Sequence, residues 1–462
     1  AAGASQGAAF RPLCCVRGAP APGGTGVPIE RQAEVARARR SASTAGIGWD
    51  WRDLARVAVS PSSVPSAWRQ LRTSGAKLNH RHSVAVCGQR AAVEGSGDAA
   101  LLFGGNVSRS VAGVWTTSDE LVLARLPLAT GGGCELTSLG SGSSSASGSG
   151  SWPAGRWGAS LTTLGQDHYL FGGWTRDQSD RSGAWSLRLR EGGVQWSRVP
   201  EDSSRPLLTA FHTSTALDDG KRLATVGGLG DGASAKGIWI FDASTGTWSA
   251  ASKDGPSLAG HAAGCVENRL ALFGGVQRFS ILDDFLRATW LFDIRAGRWD
   301  RIDGGTRPVV RRNPVHAVLG RSLLVSGGWH DESSSSLTDT WALDVPRCQW
   351  TQLPCQEAPG LEGHKAVMSG FDMFTFGGHS GPGRYPERSM VVHQLSLGSE
   401  LDASAAAEAA TEDSEELRGD DDIEEAEFLA RLASIRRNAL LRRGGGGGRG
   451  GGGYGDDREA EL

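Results

Sequence analysis

Five histidines stand near the start of short apolar segments such as FHTSTAL, GHAAGCV and GHKAVMS. Imidazoles at recurring positions are candidate metal ligands, and the segments suggest equivalent places in a repeated unit. Neighbouring units would hold these side chains too far apart to share one ion at ligand distances of about 2 Å. We therefore expect packing and hydrogen-bonding roles, and no metal. The five are His82, His212, His261, His316 and His364.

Cationic and aromatic residues form a second group, in variable segments that each follow a Gly-Gly pair. Arginine pairs with carboxylates through two parallel hydrogen bonds, and aromatic side chains anchor many interfaces. This combination favours a surface that recognises an acidic peptide. Aspartates share the same segments, so scattered solvated charges are the alternative interpretation. The predicted partner-binding residues are Arg176, Arg181, Lys236, Arg278, Arg287, His330, Arg384 and Arg388. The connections that lead into the next unit add Arg205, Arg307, Arg311 and Arg312.

Catalytic motifs do not stand out. There is no Ser-His-Asp arrangement or pair of catalytic carboxylates, and the glycine pairs belong to neither GxGxxG nor a Walker motif. The seven cysteines are scattered without zinc-ligand spacing, which fits a reducing compartment. We predict no enzyme and no cofactor.

The elements that must position these residues repeat along the chain. Six short apolar runs end in Gly-Gly, at intervals of 47 to 68 residues, and tryptophans follow in pairs, nine residues apart in three of four cases. Self-similarity at this period indicates a repeat architecture. The glycine pairs begin at Gly104, Gly172, Gly227, Gly274, Gly327 and Gly377.

These units resemble the kelch repeat, in which an apolar strand ends in Gly-Gly and is followed by an aromatic-x-hydrophobic-Asp strand and then a Trp. The best matches begin at Trp239, Trp290 and Trp341. The resemblance covers about residues 64–400 and implies an all-β, six-bladed propeller of four-stranded antiparallel blades. It also implies that the glycines avoid backbone collisions and that the tryptophans pack between blades. Galactose-oxidase-like propellers resemble this fold, but Tyr169 and Tyr385 lack the Cys and His partners of their copper site.

Ring closure is predicted from the N-terminal side. Ser66–Leu71 (SAWRQL) is similar to the strand that ends the other units, whereas the last unit lacks a Trp of its own. Trp68 should therefore supply the outer strand of the sixth blade, which removes exposed sheet edges. A rival interpretation takes Asp53–Arg72 as the end of an F-box.

The two ends differ from the repeats in composition. Residues 1–63 are predicted to be a disordered extension, or a targeting leader over 1–48, because they are rich in Ala, Gly, Ser and Arg. Residues 401–462 combine an acidic run, an amphipathic helix over Asp420–Arg443 that could also form a coiled coil, and a Gly-rich tail with two RGG triplets. The acidic run could fold back on a basic propeller surface.

Function follows from this organisation. A formal net charge of −3 and the lack of an apolar stretch of about 18–20 residues give no reason to expect nucleic-acid or membrane partners. We expect a non-catalytic protein-interaction module that binds a partner peptide or domain through the loops of one propeller face. The alternatives are the substrate-recognition subunit of a ubiquitin-ligase adaptor and an RNA-associated scaffold acting through the RGG-like tail. The expected location is the cytoplasm, or an organelle if residues 1–48 are a transit peptide, or the nucleus.

Overall fold

The computed structural model describes most of the chain between residues 67 and 397. The described ranges are 67–76, 81–89, 98–107, 116–127, 132–142, 152–176, 183–190, 193–200, 206, 210–230, 233–234, 236–276, 288–355, 358–380 and 390–397. The predictions for residues 1–63 and for the acidic, helical and RGG-like segments after 400 lie outside these ranges. Within them, every assigned element is a β-strand, and no helix has the length and apolarity that a membrane crossing requires.

Six antiparallel sheets form the blades of a propeller, named I to VI in chain order of their innermost strands. Second strands such as Ala99–Phe103 and Ser322–Ser326 are buried along their whole length, whereas fourth strands such as Gly193–Arg198 are largely exposed. Turns that contain Gly, Asn or Asp separate many of the strands. Blade I contains Ala85–Gln89, Ala99–Phe103, Leu121–Arg125 and Cys134–Gly140; blade II contains Ser160–Leu164, Asp167–Phe171, Ala184–Arg190 and Gly193–Arg198. Blade III contains Thr213–Ala216, Arg222–Val226, Ile238–Asp242 and Thr247–Ser252; blade IV contains Ala262–Val266, Arg269–Phe273, Thr289–Asp293 and Arg298–Ile302. Blade V contains Val315–Leu319, Ser322–Ser326, Thr340–Asp344 and Gln349–Leu353; blade VI contains Lys365–Ser369, Asp372–Phe376, Val392–Ser396 and Trp68–Gln70.

Closure of the ring occurs as the sequence predicts. Trp68–Gln70 pairs antiparallel with the strand Val392–Ser396, with Trp68 opposite Leu395. The Trp68 indole is buried, and its Nε1 donates to Thr340 Oγ1 of blade V at 3.3 Å. The F-box interpretation is wrong for this part of the segment, because Trp68–Gln70 belongs to a propeller sheet.

A strand absent from the sequence prediction follows immediately. Thr73–Gly75 pairs in parallel with the outer strand of blade I, with Thr73 opposite Cys134. The segment from Trp68 to Gly75 therefore completes blade VI and then adds a fifth strand to blade I. We call Trp68–Gly75 the closing strap, since it links the first and last blades.

The glycine pairs have the structural role that the sequence predicts. The first glycine of each pair has a positive φ, and in five blades a Cβ there would collide with a backbone carbonyl of the next blade. In the same five blades the second glycine donates its N–H to a carbonyl of the next blade at 2.8–3.2 Å, as Gly105 does to Arg156. Glycine thus lets adjacent blades approach to hydrogen-bonding distance.

Each interface between neighbouring blades has its own apolar core among the described residues. Fourth-strand tryptophans pack across these interfaces onto a phenylalanine of the preceding blade: Trp196 on Phe103, Trp248 on Phe171 and Trp350 on Phe273, with ring centroids 4.9–5.3 Å apart. The predicted inter-blade role of the tryptophans is confirmed for these residues. The core between blades VI and I contains no tryptophan, since the fourth strand of blade I, Cys134–Gly140, has none.

Candidate partner-binding face

One face of the propeller collects the variable segments. In antiparallel blades, the connections between strands two and three end on the same side as those that lead from strand four into the next blade. We call this side the loop face. The residues just after the Gly-Gly pair form β-bridges to the residues just before the innermost strand, as in Arg156–Trp157 with Trp174–Thr175 and Arg312 with Trp329. The bases of the loops are therefore fixed on the blades.

A closed ring of six backbone hydrogen bonds surrounds the central axis at this face. In each blade, the N–H of one residue donates to the carbonyl of the matching residue in the preceding blade at 2.7–3.0 Å. All six residues have a positive φ, between 48° and 68°. We call this arrangement the mouth ring; its members are Ser83, Gly158, Phe211, Gly260, Asn313 and Gly363.

Phe211 is the unusual member of the mouth ring. Ser, Asn and Gly tolerate left-handed backbone comparatively well, whereas a bulky residue pays about 1–2 kcal/mol for it. The Phe211 ring packs edge-on against Trp157 at 5.1 Å, and Trp157 packs against Trp174 at 6.2 Å. The three aromatic rings are half-buried on the loop face. We call Trp157, Trp174 and Phe211 the aromatic cluster.

Three of the eight predicted binding residues can be placed. Arg176 is exposed, two residues after Trp174 of the aromatic cluster, and Lys236 is exposed on blade III. His330 of blade V is half-buried, with Nδ1 2.9 Å from Ser333 Oγ and Nε2 3.9 Å from Glu332. These three residues are thus distributed over blades II, III and V. The other five lie outside the described residues: Arg181, Arg278, Arg287, Arg384 and Arg388.

The sequence prediction that Arg311 belongs to the binding surface is wrong. It is fully buried; its Nη1 donates to Asp339 Oδ1 at 2.5 Å and to the Gly327 carbonyl at 3.1 Å. Burial raises the pKa of Asp339, but the hydrogen bonds and charge of Arg311 outweigh this and hold that pKa below its usual value. Arg81 and Arg156 likewise donate to the first glycine carbonyl of their own blades. These buried arginines fix the Gly-Gly turns.

Arg312 forms ion pairs with acidic residues of blades V and VI. Its Nη1 lies 3.5 Å from Asp331 Oδ1 and its Nε 3.6 Å from Glu362 Oε2. Buried Glu362 also accepts from Asn313 Nδ2 at 3.3 Å and lies 3.8 Å from His379 Nδ1. The charge of Arg312 is therefore already paired within the protein.

The predicted equivalence of five histidines is correct for three. His212, His261 and His364 each follow a mouth-ring residue directly, whereas His82 precedes Ser83 and His316 lies three residues after Asn313. The position of the mouth-ring residue fixes where the innermost strand of each blade begins. In blade V, Pro314 directly follows the mouth-ring residue Asn313, so a histidine is absent from that position. His212 Nε2 lies 2.8 Å from Ser160 Oγ and His261 Nε2 2.9 Å from Thr213 Oγ1, each bridging to the preceding blade. No three metal-ligating side chains cluster within the described ranges.

Sequence reasoning missed Trp157 and Phe211, because they lie at the starts of innermost strands and not in the variable segments. A signal was present: Phe211 occupies a position where the other five blades have Gly, Ser or Asn, and Trp157 occupies the position before it, where they have Ala, His, Arg or Glu. An aromatic residue in the connection before an innermost strand lies outside the strands that pack in the blade core. It therefore had to lie on the loop face.

Six blades, Gly-Gly turns at the blade interfaces and a face that collects the variable loops define a repeat β-propeller. Residues 158–378 match the family model described as the KLHDC2/KLHL20/DRC7 Kelch-repeats domain. This part of the propeller is thus similar to kelch-repeat domains, a family that is generally non-catalytic and typically binds protein partners.

Relatives with curated names contain the same repeat. The chain is 28% identical over 218 residues to an F-box/kelch-repeat protein of Arabidopsis thaliana, a match covering 42% of this chain and 44% of that protein. It is 33% identical over 151 residues to Adagio-like protein 1 of Oryza sativa, covering 31% and 24%. Kelch domain-containing protein 3 of Homo sapiens is 26% identical over 125 residues, covering 26% and 32%. The match spans less than half the length of each of these relatives.

Proposed function

We propose that this chain is a non-catalytic module that binds an acidic segment of a protein partner on the loop face, over the aromatic cluster. The observation that carries the proposal is the adjacency of half-buried Trp157, Trp174 and Phe211 to exposed Arg176. Aromatic residues supply apolar contact area with few rotatable bonds, and an arginine at the rim pairs with carboxylates. Blades II and III therefore form the centre of the proposed site.

Charge on the opposite side of the loop face has a different role. Arg312 of blade V is partnered by Asp331 and Glu362, so its charge is already neutralised within the protein. An acidic ligand gains little there, because pairing would require breaking existing ion pairs. Arg176 and Lys236 are exposed on blades II and III, and the proposed orientation places the carboxylates of the ligand near them.

Binding to peptides on an array tests this proposal. The full chain is probed against acidic peptides and against the same peptides with Asp and Glu replaced by Asn and Gln. We expect retention of the acidic set, weakened by rising salt, and at least about tenfold weaker binding for Trp157→Ala and for Arg176→Gln. Arg295→Gln is the matched control, since Arg295 is an exposed arginine in the turn between strands three and four, on the opposite face. Equal binding of both peptide sets, or equal loss in the control, would contradict the proposal.

A role as the substrate-recognition subunit of a ubiquitin-ligase adaptor is a second candidate. It is favoured by the similarity to a plant protein whose name combines an F-box with kelch repeats. In that case, the partner captured by the loop face should become longer-lived in cells when this protein is depleted. An unchanged partner half-life, with binding intact, leaves the simple interaction module.

A further inference from the structure

A small cavity lies beneath the mouth ring on the propeller axis. All six mouth-ring residues line it, together with His212, His261, Pro314 and Lys365. Its volume of about 10 Å³ is close to that of one water-sized sphere. The ring's backbone N–H groups already donate to its own carbonyls, so side chains must supply the polar contacts of any occupant.

Lys365 brings a positive charge into this cavity. It is the first residue of the innermost strand of blade VI, and among the described residues it forms neither an ion pair nor a hydrogen bond. The acid nearest to it in sequence, Glu362, is engaged by Arg312, Asn313 and His379. Burial lowers the pKa of Lys365 to about 8, which still leaves most of the amine protonated at neutral pH. The side chain of Lys365 is only partly exposed, and a partly desolvated cation without a counter-charge is unfavourable unless something compensates it.

Histidines beside the cavity also have unused nitrogens. The side chain of His261 is buried, its Nε2 bonds to Thr213 Oγ1, and its Nδ1 has no partner among the described residues. When the Thr213 hydroxyl donates to Nε2, the ring proton resides on Nδ1 and makes that nitrogen a donor. Both ring nitrogens of buried His364 also lack partners there, but this side chain does not line the cavity.

We propose that this cavity is a binding site for a single halide-sized anion, held by the ammonium of Lys365 and the Nδ1–H of His261. A monatomic anion is little larger than a water molecule and matches both the positive charge and the donor chemistry. The site lies at the point where all six blades meet. An anion bound there stabilises the closed ring, and this role is independent of the partner proposed for the loop face.

Thermal unfolding of the full chain tests the site. Chloride is exchanged for gluconate at constant ionic strength, so that only the anion small enough for the cavity changes. We expect chloride to raise the melting temperature of the wild type by about 2–4 °C in a saturable manner. Lys365→Met should lose this response, because it removes the charge and keeps the apolar length of the side chain. Lys221→Met, a change at an exposed lysine, should retain it. A wild type that ignores chloride, or a response that persists in Lys365→Met, overturns the proposal.

A direct measurement covers the case in which Lys365→Met fails to fold. Crystals of the wild-type chain soaked in sodium bromide should show an anomalous peak within hydrogen-bonding reach of Lys365 Nζ and His261 Nδ1. Water at that position, with bromide only on the outer surface, shows that the cavity is merely hydrated and refutes the anion site.

Discussion

At the scale of single residues, Arg311 shows how burial changes the role of a charge. Its guanidinium is fully buried, pairs with both oxygens of Asp339 and caps a Gly-Gly turn. Breaking a buried ion pair by removing one partner leaves a charge without compensation and costs about 3–5 kcal/mol. We predict that loss for Arg311→Ala, and a change within about 0.5 kcal/mol for Arg307→Ala at a nearby exposed position. Chemical denaturation measures both, and equal stability of the two variants would contradict this role.

The same pair predicts a dependence of stability on pH. The pKa of Asp339 is lower in the folded protein than its ordinary value of 3.8. The unfolded chain therefore binds a proton at Asp339 more readily than the folded protein does. The stabilisation by this ion pair is fully present above the unfolded-state pKa of Asp339 and is lost as the pH falls through its folded-state pKa. Asp339→Asn should flatten the acid limb of the unfolding free energy measured between about pH 5 and 2. An unchanged acid limb would show that Asp339 contributes nothing to it.

Phe211 allows packing and binding to be separated. Phe211→Gly relieves a left-handed backbone penalty of about 1–2 kcal/mol and removes the edge contact with Trp157, worth about 0.5–1.5 kcal/mol beyond the buried area. The loss of the half-buried ring area adds to the second effect, so we expect a small net loss in the free energy of unfolding. Affinity for the acidic peptide should nevertheless fall about tenfold. A large loss of stability with unchanged affinity would identify Phe211 as a packing residue.

At the scale of strands and turns, the Gly-Gly pairs can be compared with glycines elsewhere. Gly227 and Gly220 both belong to blade III and both have φ of 66°. A Cβ at Gly227 would collide with the Leu258 carbonyl of blade IV, whereas a Cβ at Gly220 meets nothing within 4 Å. Gly220→Ala should cost about 1–2 kcal/mol from backbone strain, and Gly227→Ala about 2 kcal/mol more. Denaturation curves of the two variants isolate the collision, and similar losses would argue against it.

The comparison also shows what a sequence can predict at this scale. Gly-Gly after an apolar run, Trp at fixed intervals and the displaced Trp68 strand are local patterns, and the structure confirms each of them. The burial of Arg311 depends on a turn 16 residues away, so the same residue type in the same kind of segment could equally be a surface charge. The closing strap's parallel pairing with Cys134–Leu136 likewise joins segments that are distant in sequence, and no local pattern marks it. Arg176 and Lys236 lie exposed as the binding prediction requires, but the aromatic cluster beside Arg176 had to come from the structure.

At the scale of the whole molecule, six separate inter-blade cores form a circle. The pairing of Trp68–Gln70 with Val392–Ser396 joins the two ends of this circle. Trp68 fills the core between blades V and VI and donates across it to Thr340. We predict that Trp68→Ala costs about 3–5 kcal/mol and accelerates amide exchange in Val392–Ser396 more than in blade III. Trp299→Ala is the control, because its indole is only half-buried. Uniform exchange across the blades would show that closure is not a separate step.

The closing strap also constrains the protein during synthesis. Arg69 and Gln394, which hydrogen-bond within blade VI, are 325 residues apart in the chain. At about 5–20 residues per second, a ribosome needs more than about 15 s to produce the partner strand after it has made Trp68. During that time the five blades made first can assemble, while Trp68–Gln70 lacks its partner strand and is open to binding by chaperones. The protein thus emerges as an open arc of blades and becomes a ring only when its last strand leaves the ribosome.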